Sequence, residues 1–390
     1  MAASGDPKHR KDATRIAHTG RPAEDGPVNP PIERASTFVY ANSGTLYGKG
    51  RRYGRMGVTV HDALGETLSA IQGAARTLIT SSGLSACVAP FRACAQPGSH
   101  VLVTDSIYGP TRDFASRFLG KERNVEVEFY DPRIGAGIAD LIREETALIA
   151  LESPGSLTFE VQDVPAITAA ARARGVKTMI DDTWSAGLLS KPIDLGVDMA
   201  CQALTKYVSG GSDVFGGAIC CADEKTAAQI EGVIRISGES VSPDSAALAL
   251  RGLRSLAARL KWHGEAGLKV AQFLEGRPEI VRLIHPALPS HPDHEIWKRD
   301  FNGTAGLFGA ILKPASDEAV NAFIDALELF GCGFSWGGFE SLAIHCDPQI
   351  QRTAVPWTAE GPLVRFQIGL EDPDDLITDL EQGIRKLKSS

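Results

Sequence analysis

The strongest constraint on the fold is a regular alternation of short β-rich runs with helical patterns through the first half of the chain. The β-rich runs are Thr77–Thr80, His100–Thr104, Val125–Phe129, Ala147–Leu151 and Val176–Asp181. The segments between them are typical of helices: residues 163–174 begin with an aspartate, have a proline in the first turn and end before Gly175. This alternation predicts an α/β fold with a mostly parallel sheet and helices on both of its faces.

Two changes in the sequence pattern suggest domain boundaries. Residues 20–57 are rich in Gly, Pro, Arg and Tyr without a clear period, which is typical of an extended arm. Near Arg254 the alternation gives way to a long helical pattern, Ser255–Leu274. A chain of 390 residues also suits two domains of ordinary size. The predicted organisation is an N-terminal arm over residues 1–58, a large domain over 59–253 and a smaller α+β domain over 254–390.

Composition and charge argue against several classes of partner. A net charge of -8 and an isoelectric point near 5.7 disfavour binding to nucleic acid or to an anionic membrane. No apolar run approaches the roughly 20 residues that span a bilayer. The first fifteen residues are polar, lack the apolar core of a secretory signal and suggest a flexible start.

The cysteines and histidines point to no metal or disulfide framework. The seven cysteines include no Cys-x-x-Cys spacing, which favours buried free thiols in a reducing cytoplasm. His291, His294 and Glu295 lie in a Pro-rich loop without the helical spacing of a metalloprotease, so they are predicted to be polar residues on the surface and not a metal site.

Two side chains after strand-like runs point to a cofactor. Asp181 ends the run that starts at Val176, and Lys206 opens a segment rich in Gly and Ser. Ligand sites of such sheets lie beyond the carboxyl ends of the strands. An aldehyde cofactor of the pyridoxal phosphate (PLP) type needs a lysine for a covalent imine and a carboxylate that keeps the pyridine nitrogen protonated. The pair therefore predicts carbanion chemistry on a small amino-acid substrate.

A phosphate group on such a cofactor needs its own binding site. The run Thr77–Thr80 leads into Ser81–Ala86, where a helix begins, and the first N–H groups of a helix bind anions. An ordinary capped turn is the alternative reading of this segment. Thr205 offers a hydroxyl donor, and Arg55, with Tyr53, offers a guanidinium suited to phosphate. A Tyr-Gly-Arg tripeptide alone is also common on protein surfaces.

Short motifs along the chain resemble those of the Cys/Met metabolism PLP-dependent enzymes. They occur in one order and spacing over nearly the whole chain after residue 15. The motifs are Tyr53-Gly-Arg55, Ser82-Gly83, Asp105-Ser-Ile-Tyr108, Glu152-Ser-Pro-Gly-Ser156, Asp181-Asp-Thr-Trp184, Thr205-Lys206-Tyr207, Ser335-Trp-Gly-Gly-Phe-Glu-Ser341 and Arg365-Phe-Gln-Ile-Gly-Leu-Glu-Asp372. Within the family, the motifs are most similar to those of the bacterial cystathionine β-lyases.

The resemblance implies a fold, an assembly and a set of residue roles. The implied fold is the aminotransferase-like fold type I of PLP-dependent transferases, and the implied assembly is a homotetramer built from two dimers. Lys206 would carry the cofactor, Asp181 would pair with its pyridine nitrogen and Tyr108 would stack on its ring. The implied phosphate ligands are Ser82, Gly83, Leu84 and Thr205, with Tyr53 and Arg55 from the arm of a neighbouring subunit. The implied substrate ligands are Arg365 for the α-carboxylate, with Ser335, Trp336 and Tyr53 beside it.

The implied activity is β-elimination from L-cystathionine to homocysteine, pyruvate and ammonia, with Lys206 as the base that removes the Cα proton. Cystine or cysteine desulfhydrases and the γ-carbon members of the family are alternatives. The γ-carbon members usually carry asparagine at the position of Ser156 and leucine at the position of Trp336, and they often carry glutamate at the position of Phe334. These three differences favour the β-lyase. A non-catalytic scaffold is the remaining alternative, and the presence of Lys206, Asp181 and Arg365 disfavours it.

Four positions depart from the pattern of the family. Asp182 stands where an asparagine is common, and Ala203 stands where many relatives carry a phosphate-binding serine. Arg52 replaces a residue that is often apolar, and Phe334 lacks the hydroxyl of a tyrosine. These changes bear on the distal part of the substrate site, so the reaction type is better constrained than the preferred sulfur amino acid.

Overall fold

A seven-stranded sheet lies at the centre of the first half of the molecule. The computed structural model describes residues 10–21, 25–48 and 50–387. The strands are β1 (Arg76–Thr80), β2 (His100–Thr104), β3 (Glu126–Tyr130), β4 (Thr146–Glu152), β5 (Lys177–Asp181), β6 (Met199–Ala203) and β7 (Gly217–Cys221). Their order across the sheet is β1-β7-β6-β5-β4-β2-β3, and β7 alone among them runs against its neighbours. The prediction of a mostly parallel sheet is therefore confirmed.

Helices cover both faces of this sheet. The helices of this half are α1 (Asp12–His18), α2 (Ser43–Leu46), α3 (Thr59–Gln72), α4 (Gly83–Cys94), α5 (Gly109–Asp113), α6 (Val164–Ala173) and α7 (Glu224–Ile236), of which α3, α4, α6 and α7 pack directly on the strands. Along β4, Leu148 and Ala150 join one hydrophobic core while Ile149 and Leu151 join the other. Successive side chains of a strand point to opposite faces, so a strand buried on both sides is an unbroken apolar run.

A smaller antiparallel sheet forms the second half. Its strands are β8 (Ile280–Ile284), β9 (Leu307–Leu312), β10 (Leu342–His345) and β11 (Leu363–Gln367), in the order β10-β11-β9-β8. The helices here are α8 (Pro243–Glu275), α9 (His294–Asp300), α10 (Asp317–Asp325) and α11 (Pro373–Leu387). No helix within the described ranges is long and apolar enough to cross a membrane.

Helix α8 begins earlier than the sequence pattern predicts. It starts at Pro243, after Ser242, whose Oγ accepts a hydrogen bond from Ser245 N. Proline is favourable at the first helical position because it has no N–H that needs an intrahelical partner, and serine is favourable at the cap because its hydroxyl accepts a hydrogen bond from an N–H of the first turn. The domain boundary near 254 therefore falls inside this helix, and the division into domains stays a prediction.

The expectation of a flexible start is wrong for part of the segment it covered. Residues 1–9 lie outside the described residues, but α1 begins at Asp12. Ile16 is buried on this helix, and Asp12 forms an ion pair with Lys191 at 2.7 Å. A helix this short is marginal alone, so these tertiary contacts stabilise it.

A buried carboxylate joins the two sheets. Asp105, just after β2, accepts hydrogen bonds from the backbone N–H groups of Thr353, Ala354 and Val355 at 2.9–3.1 Å. Arg112 also donates to Asp105, at 2.9 Å. Burial acts to raise the pKa of Asp105, but these donors outweigh it and lower the pKa below its ordinary value. The segment at 353–355 is thereby fixed to the edge of the large sheet.

Candidate active site

The ends of the parallel strands bring the candidate residues to one edge of the large sheet. Glu152 and Asp181 are the last residues of β4 and β5 and lie opposite each other in the strand register. Lys206 follows β6 by three residues, and Tyr108 follows β2. The predicted convergence of Asp181 and Lys206 at this edge is what parallel strands produce.

Lys206 is contacted by residues from the second half of the chain. Its Nζ donates a hydrogen bond to Ser335 Oγ at 2.8 Å and lies 5.3 Å from the centre of the Trp336 ring. Gly337 has φ +80°, and a Cβ there would lie 2.8 Å from Tyr207 N and 3.1 Å from the Lys206 carbonyl carbon. A glycine is needed at this close approach of the two segments.

The surroundings of Lys206 lower the pKa of its amine and so favour the neutral form. Burial, together with the positive charge of Arg365, lowers the pKa of Lys206 to about 8, while Asp181 opposes the shift. Near that pH, a substantial fraction of the amine is unprotonated and able to act as a nucleophile or a base.

Asp181 is a buried carboxylate with neutral donors around it. Its Oδ1 accepts hydrogen bonds from Thr183 N at 3.0 Å and from Thr183 Oγ1, and its Oδ2 accepts one from Cys87 Sγ at 3.3 Å. Burial raises the pKa of Asp181, and the donors partly offset that effect. No salt bridge to Asp181 occurs among residues 10–21, 25–48 and 50–387. A buried carboxylate without a cation in contact suits a protonated ring nitrogen, so these residues fit a PLP cofactor.

Arg365 brings a buried positive charge to the same place. It lies on β11, and one of its nitrogens, Nη2, donates to the carbonyls of Phe334 and Ser335 at 2.7 and 3.1 Å. Burial lowers the pKa of Arg365, and its charge in turn acts on Lys206 and on Tyr108. The guanidinium thus lies at the base of the site with capacity to bind a carboxylate.

Tyr108 is held at the site by Glu152. The Tyr108 N–H donates to Glu152 Oε2 at 2.6 Å, while the side chain remains 44% exposed. Burial, followed by the nearby Asp181 charge, raises the pKa of Glu152 well above its ordinary value. Glu152 was not predicted as a site residue, although its position at the end of a buried strand beside Asp181 was a usable signal.

The predicted strand-to-helix turn is present where α4 begins, and its role in binding phosphate stays a prediction. Ser82 caps α4, and its Oγ accepts a hydrogen bond from Ser85 N at 3.1 Å. A Cβ on Gly83 would lie 2.4 Å from the Ala203 side chain, so the turn packs directly against β6. Leu84 follows in the first helical turn, and the Thr205 hydroxyl lies 3.4 Å from Gly216 N.

An acidic residue that sequence reasoning missed also lies at this turn. The Glu239 carboxylate accepts a hydrogen bond from Ser81 N at 3.1 Å and another from the Ser81 hydroxyl. Burial acts to raise the pKa of Glu239, but the donors from Ser81 and Ser85 lower it overall. An anion is thus already stabilised next to the start of α4, in line with the anion preference of helix N-termini.

Two predicted phosphate ligands make their contacts elsewhere within one chain. Tyr53 is half exposed and pairs with Thr37, and Arg55 donates from Nη1 to the Arg235 carbonyl at 3.2 Å. Arg55 also lines a groove of about 630 Å³ whose wall includes Glu239. The structure does not bring Tyr53 and Arg55 to the group around Lys206.

Asp182, one of the departures from the family pattern, faces away from Asp181. Its Oδ2 accepts from Gln72 Nε2 at 2.7 Å, and its Oδ1 accepts from the Ser185 hydroxyl. Burial raises the pKa of Asp182 to about 7. The Asp182 carboxylate therefore lies on the face of the sheet opposite the candidate site.

Asp182→Asn is expected to stabilise the protein at alkaline pH. The folded-state pKa of Asp182 is above its unfolded value, so burial of the charged form lowers stability as pH rises from about 4 toward and past 7. Asparagine removes that charge, and we expect about 1 to 3 kcal/mol of added stability at pH 8 and a clearly smaller gain at pH 5. Thermal denaturation at both pH values measures this. Asp140→Asn, in a short 3-10 segment, is the control, and an equal effect at both pH values would contradict the assignment.

One cluster of possible metal ligands lies at the other end of the sheet. His100, Glu126 and Glu128 place ligand atoms within 4.8 Å of one another. Arg143 already pairs with both carboxylates, at 2.6 and 2.5 Å, and compensates their charge. The predicted surface histidine His291 is instead buried, with its Nδ1 accepting a hydrogen bond from Asp293 N.

Comparison with known proteins gives consistent matches over the full length. The family model described as Cys/Met metabolism PLP-dependent enzyme matches residues 13–385. The chain is 38% identical over 398 residues to a cystathionine beta-lyase of Escherichia coli K12, which covers 97% of this chain and 99% of that protein. It is 44% identical over 380 residues to a Rhizobium johnstonii protein with the provisional name of a cystathionine beta-lyase, covering 95% of each.

Relatives with other activities also match. The crystal structure of a cystathionine gamma synthase from Xanthomonas oryzae pv. oryzae, in complex with aminoacrylate and cysteine, superposes with a TM-score of 0.90 at 31% identity. That match covers 97% of this chain and 99% of the other. An L-alanine/L-glutamate racemase of Wolbachia pipientis wMel is 37% identical over 398 residues, covering 97% of this chain and 98% of that protein.

Proposed function

Because the chain belongs to the Cys/Met metabolism PLP-dependent enzymes, we propose that it is a carbon–sulfur β-lyase that cleaves L-cystathionine to homocysteine, pyruvate and ammonia. Its cofactor is pyridoxal phosphate, and its fold is the fold type I of PLP-dependent transferases. The observation that carries the proposal is the convergence of Lys206, Asp181 and Arg365 at one edge of the sheet, with Ser335 and Trp336 over the lysine.

The proposed reaction uses each of these side chains for one task. When bound, PLP supplies an electron sink for negative charge at the substrate Cα. Arg365 binds the α-carboxylate, a role that a buried guanidinium suits because its planar donors form paired hydrogen bonds. Lys206 would hold the cofactor through its amine and, when that amine is free, would remove the Cα proton of the substrate as the general base.

The remaining residues hold the reacting groups in place. Asp181 would hold the protonated pyridine nitrogen of the cofactor, and its fixed charge is worth more in this buried setting than in water. Tyr108 would stack on the cofactor ring. Ser335 holds the lysine amine through the 2.8 Å hydrogen bond, so the base stays near the Cα position during elimination of the β-sulfur.

The β-carbon is favoured over the γ-carbon by the residues around the lysine. The Trp336 indole packs against Tyr207 and lies beside Lys206 Nζ, so a bulky side chain fills the position where γ-carbon members usually carry leucine. A Cβ on Gly155 would lie 2.5 Å from the Ser106 side chain, which restricts the loop that ends in Ser156. Phe334 is 76% exposed beside these residues, where its ring can contact the distal half of a substrate.

A substrate comparison tests the proposed activity. The purified holoenzyme is given L-cystathionine, L-cystine, L-cysteine, O-acetyl-L-homoserine or L-alanine, and pyruvate, 2-oxobutyrate and D-alanine are measured separately. Pyruvate from L-cystathionine with the highest kcat/KM supports the proposal. Faster pyruvate release from L-cystine or L-cysteine would reassign the substrate, 2-oxobutyrate would assign the γ-carbon, and D-alanine as the main product would assign a racemase.

The proposal includes a homotetramer made of two dimers in the cytoplasm, with Tyr53 and Arg55 of one subunit completing the phosphate site of another. Two apolar side chains on the arm are largely exposed in the single chain, Val39 with an exposed fraction of 94% and Tyr47 with 77%. Their exposure supports an arm that another subunit covers in the assembly. All seven cysteines are free, which fits a reducing compartment.

Arg55→Ala is expected to weaken PLP retention by about 10-fold or more, since a charge-assisted contact to phosphate is worth about 1.5 to 3 kcal/mol. The dissociation constant of the cofactor measures this. The control is Arg52→Ala in the same segment, whose guanidinium donates to the Tyr47 carbonyl.

Mixing subunits tests whether Arg55 acts across the interface. If the arm reaches a neighbouring subunit, a hybrid of Arg55→Ala and Lys206→Ala subunits has one site with both changes and one site with neither. Pyruvate formation by the hybrid at a PLP concentration too low to saturate the Arg55→Ala parent supports such an arm, whereas a hybrid that needs as much PLP as that parent would place Arg55 in its own chain's site.

A further inference from the structure

Helix α4 contacts the candidate site at two places. Its first turn, after Ser82, is the proposed phosphate turn, and Cys87 lies one helical turn further on. Cys87 is 2% exposed, and its thiol donates a hydrogen bond to Asp181 Oδ2 at 3.3 Å. The same helix therefore contacts both the phosphate turn and the carboxylate proposed to hold the pyridine nitrogen.

Cys87 has a distinct place among the donors to Asp181. Thr183 supplies two hydrogen bonds, and both go to Oδ1. Within the described part of the chain, the thiol of Cys87 is the protein donor recorded on Oδ2. The two oxygens are thus held from opposite sides, by the turn after β5 and by α4, which fixes the plane of the carboxylate.

The Cys87 thiol keeps its proton under working conditions. A hydrogen bond with Cys201 and burial raise the pKa of Cys87 well above its ordinary value, and the Asp181 charge acts in the same direction. Cys201 directs its own thiol to the Ala86 carbonyl at 3.2 Å. The Cys87 proton is therefore available to Asp181, and a neutral thiol beside a carboxylate acts as a donor and not as a nucleophile.

We propose that Cys87 is a positioning residue: its thiol orients the Asp181 carboxylate and moderates the negative charge that Asp181 presents to the pyridine nitrogen of the cofactor. The proposal rests on the proposed role of Asp181. A hydrogen bond to one carboxylate oxygen stabilises the anion and reduces its basicity. Without the thiol, Asp181 holds more charge on Oδ2, and its carboxylate is oriented only by the two hydrogen bonds from Thr183 to Oδ1.

Cys87→Val, which removes the donor, is the main test. We expect about five-fold weaker PLP retention, because the Asp181 carboxylate loses one of the hydrogen bonds that orient it toward the ring nitrogen, and the effect is modest because a thiol is a weak donor. We also expect the pH midpoint of the visible absorption band of the bound cofactor to move to higher pH, because more negative charge then faces the ring. Cys87→Ser, which restores a donor, should return both quantities toward those of the wild type.

Controls separate positioning from packing. Cys221→Ala removes a buried thiol on β7 that lies in the same hydrophobic core as Cys87 but contacts the Ile219 carbonyl and not Asp181. It should lower the melting temperature without moving the midpoint of the band. A Cys87→Val variant that changes only the melting temperature, with the midpoint and cofactor retention unchanged, overturns the proposal.

A double-mutant cycle with Asp181→Asn distinguishes this proposal from the assignment of Asp181 itself. If Cys87 acts through Asp181, Cys87→Val should shift the band in the wild type and not in the Asp181→Asn background. If Asp181→Asn moves the pH midpoint of the absorption band and Cys87→Val does not, the role of Cys87 alone is overturned. If neither change moves that midpoint, both assignments are overturned.

Discussion

Lys206→Ala is expected to reduce pyruvate formation from L-cystathionine by about 10³-fold or more, because the variant lacks both the covalent attachment and the general base. Ser335 would lose its 2.8 Å hydrogen bond with the amine, while Asp181, Arg365 and the turn at Ser82 stay in place. The variant should therefore still bind PLP without a covalent bond. Steady-state rates and absorption spectra measure the two effects.

Borohydride reduction gives an independent readout of this prediction. In the wild type, reduction should fix the cofactor to the peptide that contains Lys206, and mass spectrometry of a digest identifies that peptide. Lys261→Ala is the control, since Lys261 is largely exposed on α8 and pairs only weakly, with Glu265 at 3.8 Å. Normal pyruvate release by Lys206→Ala, or a label on another lysine, would refute the assignment.

Asp105→Asn is expected to destabilise the protein by about 2 to 4 kcal/mol at pH 7, because it breaks a buried, multiply bonded carboxylate. An amide keeps one acceptor oxygen, and its NH₂ group then faces either Arg112 or the N–H groups of Ala354 and Val355. Donors that face donors are left unpaired in a buried place. Thermal and urea denaturation monitored by far-ultraviolet circular dichroism measure the loss.

The stability difference between the wild type and Asp105→Asn depends on pH in a way that follows from the direction of the Asp105 pKa shift. The folded-state pKa of Asp105 is below its unfolded value, so its contribution is present above about pH 4 and is lost as pH falls through the folded pKa. The gap between wild type and variant should persist from pH 7 to pH 5 and narrow in stronger acid. Asp113→Asn is the matched control, because Asp113 is half exposed and, within the described part of the chain, forms an ion pair with Arg117 alone. An equal loss in the two variants would show that the carboxylate does not join the sheets.

The part of the site on the large sheet was predictable because local signals and strand direction suffice there. Asp181 ends a strand, Lys206 follows the next one and Ser82 caps a helix, so their meeting follows from parallel strands. Ser335 and Arg365 are more than a hundred residues away in the chain, and no local pattern indicates that they contact Lys206. Only the family resemblance placed them near the site in advance.

The residues that were missed depend on tertiary contacts. Cys87 has the sequence context of an ordinary core residue on an apolar helix, and only the packing of α4 on β5 brings its thiol to Asp181. Glu239 lies in the loop between α7 and α8, whose path to Ser81 has no local signature. Asp182 was recognised as unusual, but which face of the sheet it occupies depends on the strand and turn geometry that the structure supplies.

Helix α8 has a consequence for how the molecule can be divided. Leu250, Leu253 and Leu256 on its first half pack in the core of the large sheet, and Val270 and Leu274 on its second half pack in the core beneath the small sheet. Helix α8 therefore contributes side chains to both hydrophobic cores. A truncation at the boundary near 254 cuts through α8. Each fragment would then expose an apolar surface that the other half normally covers, and neither would be a complete folding unit.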